Sequence, residues 1–110
     1  MIDWTRVKEL RADIGEEDFD EVVGLFLEEV DAAVTSLREG APDGSLEESL
    51  HFLKGSAMGL GFEDFSSHCQ IGETSCAKGQ EDDVDLAAIL QSYDASRAEF
   101  LQDLPTVLSN

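Results

Sequence analysis

Apolar residues recur every three or four positions through nearly the whole of this 110-residue chain, and no long stretch alternates polar with apolar residues. That period suits a helix burying one stripe of its surface, and no strand pattern competes with it. Prolines occur only at 42 and 105, which leaves room for long helices. A first segment, about 3–14, has Asp3 in a capping position and Trp4, Val7, Leu10 and Ile14 at helical spacing, and Gly15 breaks it. The clearest helix runs from Glu16 to about Glu39. Glu16, Glu17 and Asp18 favour its positive end, and Phe19, Val22, Val23, Phe26, Val30, Ala33, Val34 and Leu37 form its buried face. Leu25 falls on the opposite face.

Gly40 ends that helix, and Ala41-Pro42-Asp43-Gly44 reads as a turn. A third helix is expected from Ser45 to about Leu60, with Ser45 and Glu48 at capping-box spacing. The fourth is expected from about Phe62 to Lys78, with Asp64 as an alternative cap, and carries Phe65, Cys69, Gly72 and Cys76 on a narrow stripe. The fifth starts near Asp83 or Val84 and ends near Pro105. Its apolar face holds Leu86, Ile89, Leu90, Tyr93, Phe100, Leu101 and Leu104. Arg97 falls within that face and is expected to snorkel or to pair with a carboxylate. Ser109 and Asn110 are expected to fray. Four substantial helices with short connections predict an all-α fold: an antiparallel four-helix bundle over about 16–104, with a short accessory N-terminal helix, in a single domain spanning 1–110.

Charge limits the partners. With 25 acidic against 7 basic residues and a formal net charge of -18, the chain repels nucleic acid and anionic membranes. Two readings of that charge stand, a well-solvated surface and steering toward a basic patch on a protein partner. No apolar run approaches the roughly 18 residues of a membrane span, and the start of the chain lacks the apolar core of a secretory signal. Cys69 and Cys76 lie two turns apart on one helix face, about 10 Å, too far for a disulfide within a rigid helix. Reduced thiols and a cytoplasmic location are expected.

One segment is dense with chemistry: His51-Phe52-Leu53-Lys54-Gly55-Ser56-Ala57-Met58-Gly59-Leu60-Gly61. At about 100° per residue, Leu46, Leu53, Ala57 and Leu60 cluster opposite His51, while Lys54, Gly55 and Met58 share its side. A lone surface histidine is ordinary. This one has a lysine one turn on, and that lysine is the only Lys or Arg between Arg38 and Lys78. An ammonium there is placed to neutralise phosphoryl oxygens. Gly55, at i+4, removes a side chain beside the ring, at a cost of about 0.5–1 kcal/mol relative to alanine in a helix interior. Close approach by a partner justifies that cost.

The segment resembles the signature of histidine phosphotransfer (HPt) domains, and the run Phe65-Ser66-Ser67-His68-Cys69-Gln70-Ile71-Gly72-Glu73 supports the likeness. The resemblance covers nearly the whole chain. It implies a helical bundle in which His51 accepts and donates a phosphoryl group, Lys54 assists through charge, and Gly55 opens the surface. Leu53, Ala57 and Leu60 correspond to the buried side of the signature helix, with Gly61 at its end. Gly59, like Gly55, is expected to serve packing or access near the site. Glu73 falls where such domains carry a glutamine or glutamate near the imidazole. Cys69 corresponds to a packing cysteine. The implied partners are receiver domains of response regulators, either free-standing or within a hybrid histidine kinase, which supply the aspartate and its Mg²⁺. No cofactor of the chain's own is implied, and a monomer is expected.

The attacking histidine nitrogen must be unprotonated, and a hydrogen bond at the other nitrogen sets tautomer and ring orientation. Glu73 or water is expected to accept from Nδ1, leaving Nε2 for attack. Met58 is the first candidate for apolar docking, followed by Phe52, Leu50 and Leu25. The chain contains no GxxxxGK loop and no kinase signature, so it is not expected to use ATP. A metal site built from His51, His68, Cys69 and Cys76 lacks compact ligand spacing, and cysteines on an apolar stripe are poor nucleophiles. The remaining alternative is an interaction bundle that binds a receiver or kinase without carrying phosphate.

Overall fold

A computed structural model describes residues 2–40 and 44–108. Ala41, Pro42 and Asp43 of the expected turn, and the expected frayed end at Ser109 and Asn110, lie outside the described residues. The fold is all-α, with five α-helices among the described residues: α1 (Trp4–Ile14), α2 (Glu16–Arg38), α3 (Leu46–Leu60), α4 (Glu63–Ala77) and α5 (Leu86–Leu108). None is long and apolar enough to cross a membrane.

Local chemistry explains most boundaries. The Asp3 side chain caps α1 by accepting from the Arg6 N–H at 3.2 Å. Gly15, at φ 88°, joins α1 to α2. Ser45 caps α3, accepting from the Glu48 N–H at 3.1 Å and donating to the Glu48 carboxylate at 3.2 Å. At the other end of α3, the Gly61 N–H donates to Met58 O at 3.3 Å and the Phe62 N–H to Ala57 O at 2.8 Å, the two bonds of a Schellman stop. Gly61 has φ 81°, and a Cβ there would stand 2.7 Å from Asp3 O. Only glycine meets both demands. The helix α4 begins at Glu63, so Asp64 lies in its first turn and does not cap it, and Lys78 follows its last residue.

Two expectations for α5 are corrected. A 3-10 turn at Glu81–Asp83 intervenes, and Asp85 caps the helix by accepting from the Ala88 N–H at 3.0 Å, so α5 starts later than Asp83 or Val84. Pro105 does not end it. The helix continues to Leu108, with Leu104 and Leu108 packed against the core on either side of the proline. Proline in a helix forfeits a backbone bond, and that packing holds the last turn despite it.

The helices α3 and α4 form the most extensive pairing, followed by α4 with α5 and α2 with α3. Leu50, Leu53, Phe62, Phe65, Cys69 and Phe100 are fully or almost fully buried at the centre. Leu27 also belongs to the core, which the sequence pattern missed; Val22 and Phe26 are only half-buried. Leu101, expected on the apolar face of α5, is exposed. Gly72 lets α4 approach closely, since a Cβ there would lie 2.8 Å from Leu50 Cδ1 and 3.2 Å from Ile89 Cδ1. Polar groups tie α2 to α5. Arg97 donates from Nε and Nη2 to the two Asp31 oxygens at 3.1 Å each, Tyr93 donates its hydroxyl to the same carboxylate, and Arg38 pairs with Asp94 at 2.5 Å. Arg97 thus pairs with a carboxylate, one of the two expected outcomes.

The segment that carries α1 is tied to the C-terminal end of α3 and to the middle of α5. The Asp3 N–H donates to Gly61 O at 2.7 Å, Arg6 Nε to Gly59 O at 3.2 Å, and the Ile2 N–H to Glu99 at 3.1 Å. Trp4 stacks on Phe100 with ring centroids 5.8 Å apart.

Candidate functional site

The apolar stripe of α3 turns Leu50, Leu53, Ala57 and Leu60 inward and leaves His51 facing solvent, its side chain 73% exposed. The close α3–α4 pairing, permitted by Gly72, brings Glu73 alongside. One Glu73 oxygen lies 2.8 Å from His51 Nδ1 and the other 2.7 Å from Lys54 Nζ. A single carboxylate therefore bridges imidazole and ammonium. Its side chain is only 13% exposed. The Lys54 bond is the main cause holding the Glu73 carboxyl below its ordinary value of 4.5, with a smaller contribution from His51, against the opposing effect of burial. An ionised carboxylate only accepts, so Nδ1 is the donor in this bond, and in a neutral ring held this way Nε2 is the free nitrogen.

Lys54 departs from expectation. Its side chain is 19% exposed and lies along the seam between α3 and α4. Besides Glu73 it donates to Gln70 Oε1 at 3.0 Å, and the Gln70 amide nitrogen donates to Thr74 Oγ1 at 3.0 Å. Sequence reasoning gave Gln70 and Thr74 no part here. The available signal was helical spacing: Gln70 precedes Glu73 by three residues and Thr74 follows Gln70 by four, so the three sit on adjoining positions of α4.

The other expected residues separate into groups. Leu25, Phe52 and Met58 are exposed. Leu50 is completely buried, which corrects its candidacy for docking: it is the side chain against which Gly72 packs. Beyond its chain neighbours and the backbone of its own helix, nothing would lie within 4 Å of a Cβ at Gly55, so internal packing does not demand a glycine there. At Gly59 a Cβ would meet only the Phe26 ring, at 3.8 Å, an ordinary contact, so clearance does not require a glycine there. An open groove of about 990 Å³ lies beside the histidine, lined by Glu47, Glu48, Phe52, Gln70, Thr74 and Lys78 among others.

Cys69 and Cys76 are buried free thiols. Burial, with a smaller contribution from Glu73, pushes the Cys69 thiol up to about 12, so it packs beneath the seam as an inert group. His68 is half-buried on α4. Among the described residues no three His, Cys, Asp or Glu side chains converge as a metal-ligand set.

The family model described as Hpt domain matches residues 21–99, from within α2 to within α5. No curated protein and no solved structure matches the chain.

Proposed function

The chain belongs to the Hpt domain family, and from that premise we propose that it is a phosphorelay intermediate: His51 accepts a phosphoryl group from a receiver-domain aspartyl phosphate and passes it to another receiver aspartate. The observation that carries this reading is the Glu73 carboxylate, which holds Nδ1–H of an exposed imidazole with one oxygen and an ammonium with the other. Five helices fit a single HPt-like domain, with α2–α5 as an antiparallel four-helix bundle and α1 as an accessory.

In the proposed step the Nε2 lone pair forms an N–P bond as the P–O bond to the receiver aspartate breaks, and the bonding electrons leave on that aspartate as a carboxylate. The Nδ1 proton stays in the bond to Glu73, whose charge stabilises the imidazolium character created at the ring. Lys54 offers positive charge to the incoming phosphoryl oxygens. Gly55 leaves the surface beside the ring open to the receiver, and Met58, Phe52 and Leu25 give apolar docking contacts. Receivers, either free-standing or within a hybrid kinase, supply the aspartate with its Mg²⁺ and most transition-state stabilisation. The chain itself acts as an oriented nucleophile with one cation, as a cytoplasmic monomer.

The test is incubation with a phosphorylated, Mg²⁺-loaded receiver, followed by detection of phosphate that is labile in acid and stable in base. Wild type is expected to acquire it and His51→Gln to acquire none. Equal labelling of the variant, or no labelling of wild type by any receiver of the same organism, overturns the proposal; the second result favours a binding-only bundle.

A further inference from the structure

The Gln70–Thr74 pair has no part in the step just described, yet it completes the coordination of the site's cation. Lys54 has no acceptor atom, so Gln70 must present its carbonyl oxygen to it, at 3.0 Å. The amide nitrogen is then turned to Thr74 Oγ1, also at 3.0 Å, which accepts. The amide orientation is thus determined chemically, and Thr74 locks it. Lys54 is left between two unlike acceptors, a carboxylate at 2.7 Å and a neutral carbonyl at 3.0 Å.

That difference has a consequence for transfer. Bonds to charged acceptors are roughly twice as strong as neutral ones. A second carboxylate at position 70 would hold the ammonium more firmly and add negative charge where an anionic phosphoryl group must arrive. With no second acceptor, the mostly covered ammonium would keep only Glu73 and lose its fixed place on the seam. A neutral amide keeps the cation in place and releases it at the cost of one neutral hydrogen bond.

We infer that Gln70, oriented by Thr74, is a positioning residue that holds Lys54 beside His51 in a releasable state, so that the ammonium exchanges Gln70 for a phosphoryl oxygen as the group arrives. The inference rests on the phosphotransfer reading of His51. Gln70 touches neither the imidazole nor the phosphoryl group; its effect passes through Lys54.

The experiment uses the full chain and a phosphorylated, Mg²⁺-loaded receiver with rapid-quench detection, alongside ¹H–¹⁵N spectra of the Lys54 ammonium. Gln70 is exposed, so Gln70→Met and Gln70→Glu are expected to retain the helical circular dichroism of wild type. Gln70→Met should slow transfer about three- to tenfold, the equivalent of one neutral hydrogen bond. Gln70→Glu should slow it by about tenfold or more, because a carboxylate competes with the phosphoryl group for the ammonium. In a Lys54→Met background Gln70→Met should add no further loss, and in the otherwise native chain it should shift or broaden the Lys54 ammonium resonance. Additive losses in the double variant, an unchanged ammonium resonance, or a Gln70→Glu rate at or above wild type each overturn the inference. Should wild type accept no phosphoryl group, the proposed function fails, and the ammonium spectra decide the positioning of Lys54 separately.

Discussion

Two oxygens of one side chain organise the site. Glu73 holds the imidazole proton with one and the Lys54 ammonium with the other, and this charge-assisted bonding lowers its carboxyl from the ordinary 4.5. A carboxyl whose native value is depressed stabilises the fold fully above its unfolded value, and that contribution disappears as pH falls through the native value. Titration of the Glu73 carboxyl by NMR is therefore expected to have its midpoint below 4.5, and Lys54→Met should move the midpoint upward. Glu73→Gln should lose the portion of the acid-side fall in stability that belongs to this group, measured as urea midpoints from neutral pH down through the carboxylate range. A wild-type midpoint at or above 4.5 would show that the bridge does not persist in solution. Because Lys54 is mostly covered, its truncation is also expected to cost stability, about 1–2 kcal/mol, where an exposed lysine would cost almost nothing.

Glycines separate the demands of packing from those of access at the element scale. Gly72 sits where α4 meets Leu50 and Ile89, and a Cβ would collide with side chains that are themselves buried. Gly72→Ala is expected to destabilise by about 1–3 kcal/mol through overpacking, seen as a lower urea midpoint. Gly55 also lies inside a helix, but no packed neighbour outside its own helix backbone would meet a Cβ there. Gly55→Ala should raise stability by about 0.5–1 kcal/mol through helix propensity while slowing transfer from a receiver that must approach the same surface. If Gly55→Ala left the transfer rate unchanged, its place beside His51 would have no functional meaning. The fold was largely legible at this scale: five helices and the caps at Asp3 and Ser45 follow from local chemistry, while the stop at Gly61 was implied only by the family resemblance. The start of α5 was not, because Asp83, Val84 and Asp85 offer competing starts, and the winner depends on the 3-10 turn before it. Pro105 misled for a related reason, since packing of Leu104 and Leu108 outweighs a local helix-breaking preference.

For the whole molecule, a net charge of -18 is held within principal extents of 45 × 21 × 21 Å. Self-repulsion of that surface works against the folded state, and salt screens it. Raising NaCl from about 10 mM to about 200 mM is expected to raise the melting temperature by several degrees, where about 1 kcal/mol corresponds to roughly 4–8 °C for a domain near this size. A flat or falling melting temperature would show that the paired charges, such as Arg97 with Asp31 and Arg38 with Asp94, dominate over the net repulsion.

The sequence by itself determined the helical class, the outward face of His51, its company of Lys54, Gly55 and Met58 on α3, and the exposure of Leu25 on α2. All of these follow from periodicity about a single helix axis, which residue spacing specifies. The tertiary structure decided what lies across the seam: Glu73 between His51 and Lys54, Gln70 as the second acceptor, Leu50 in the core, and Lys54 largely covered. Those depend on the roll and register of α4 against α3, which the packing of Gly72 on Leu50 sets. His51 and Glu73 are 22 positions apart in the chain, and no periodicity within either helix specifies which of their faces meet.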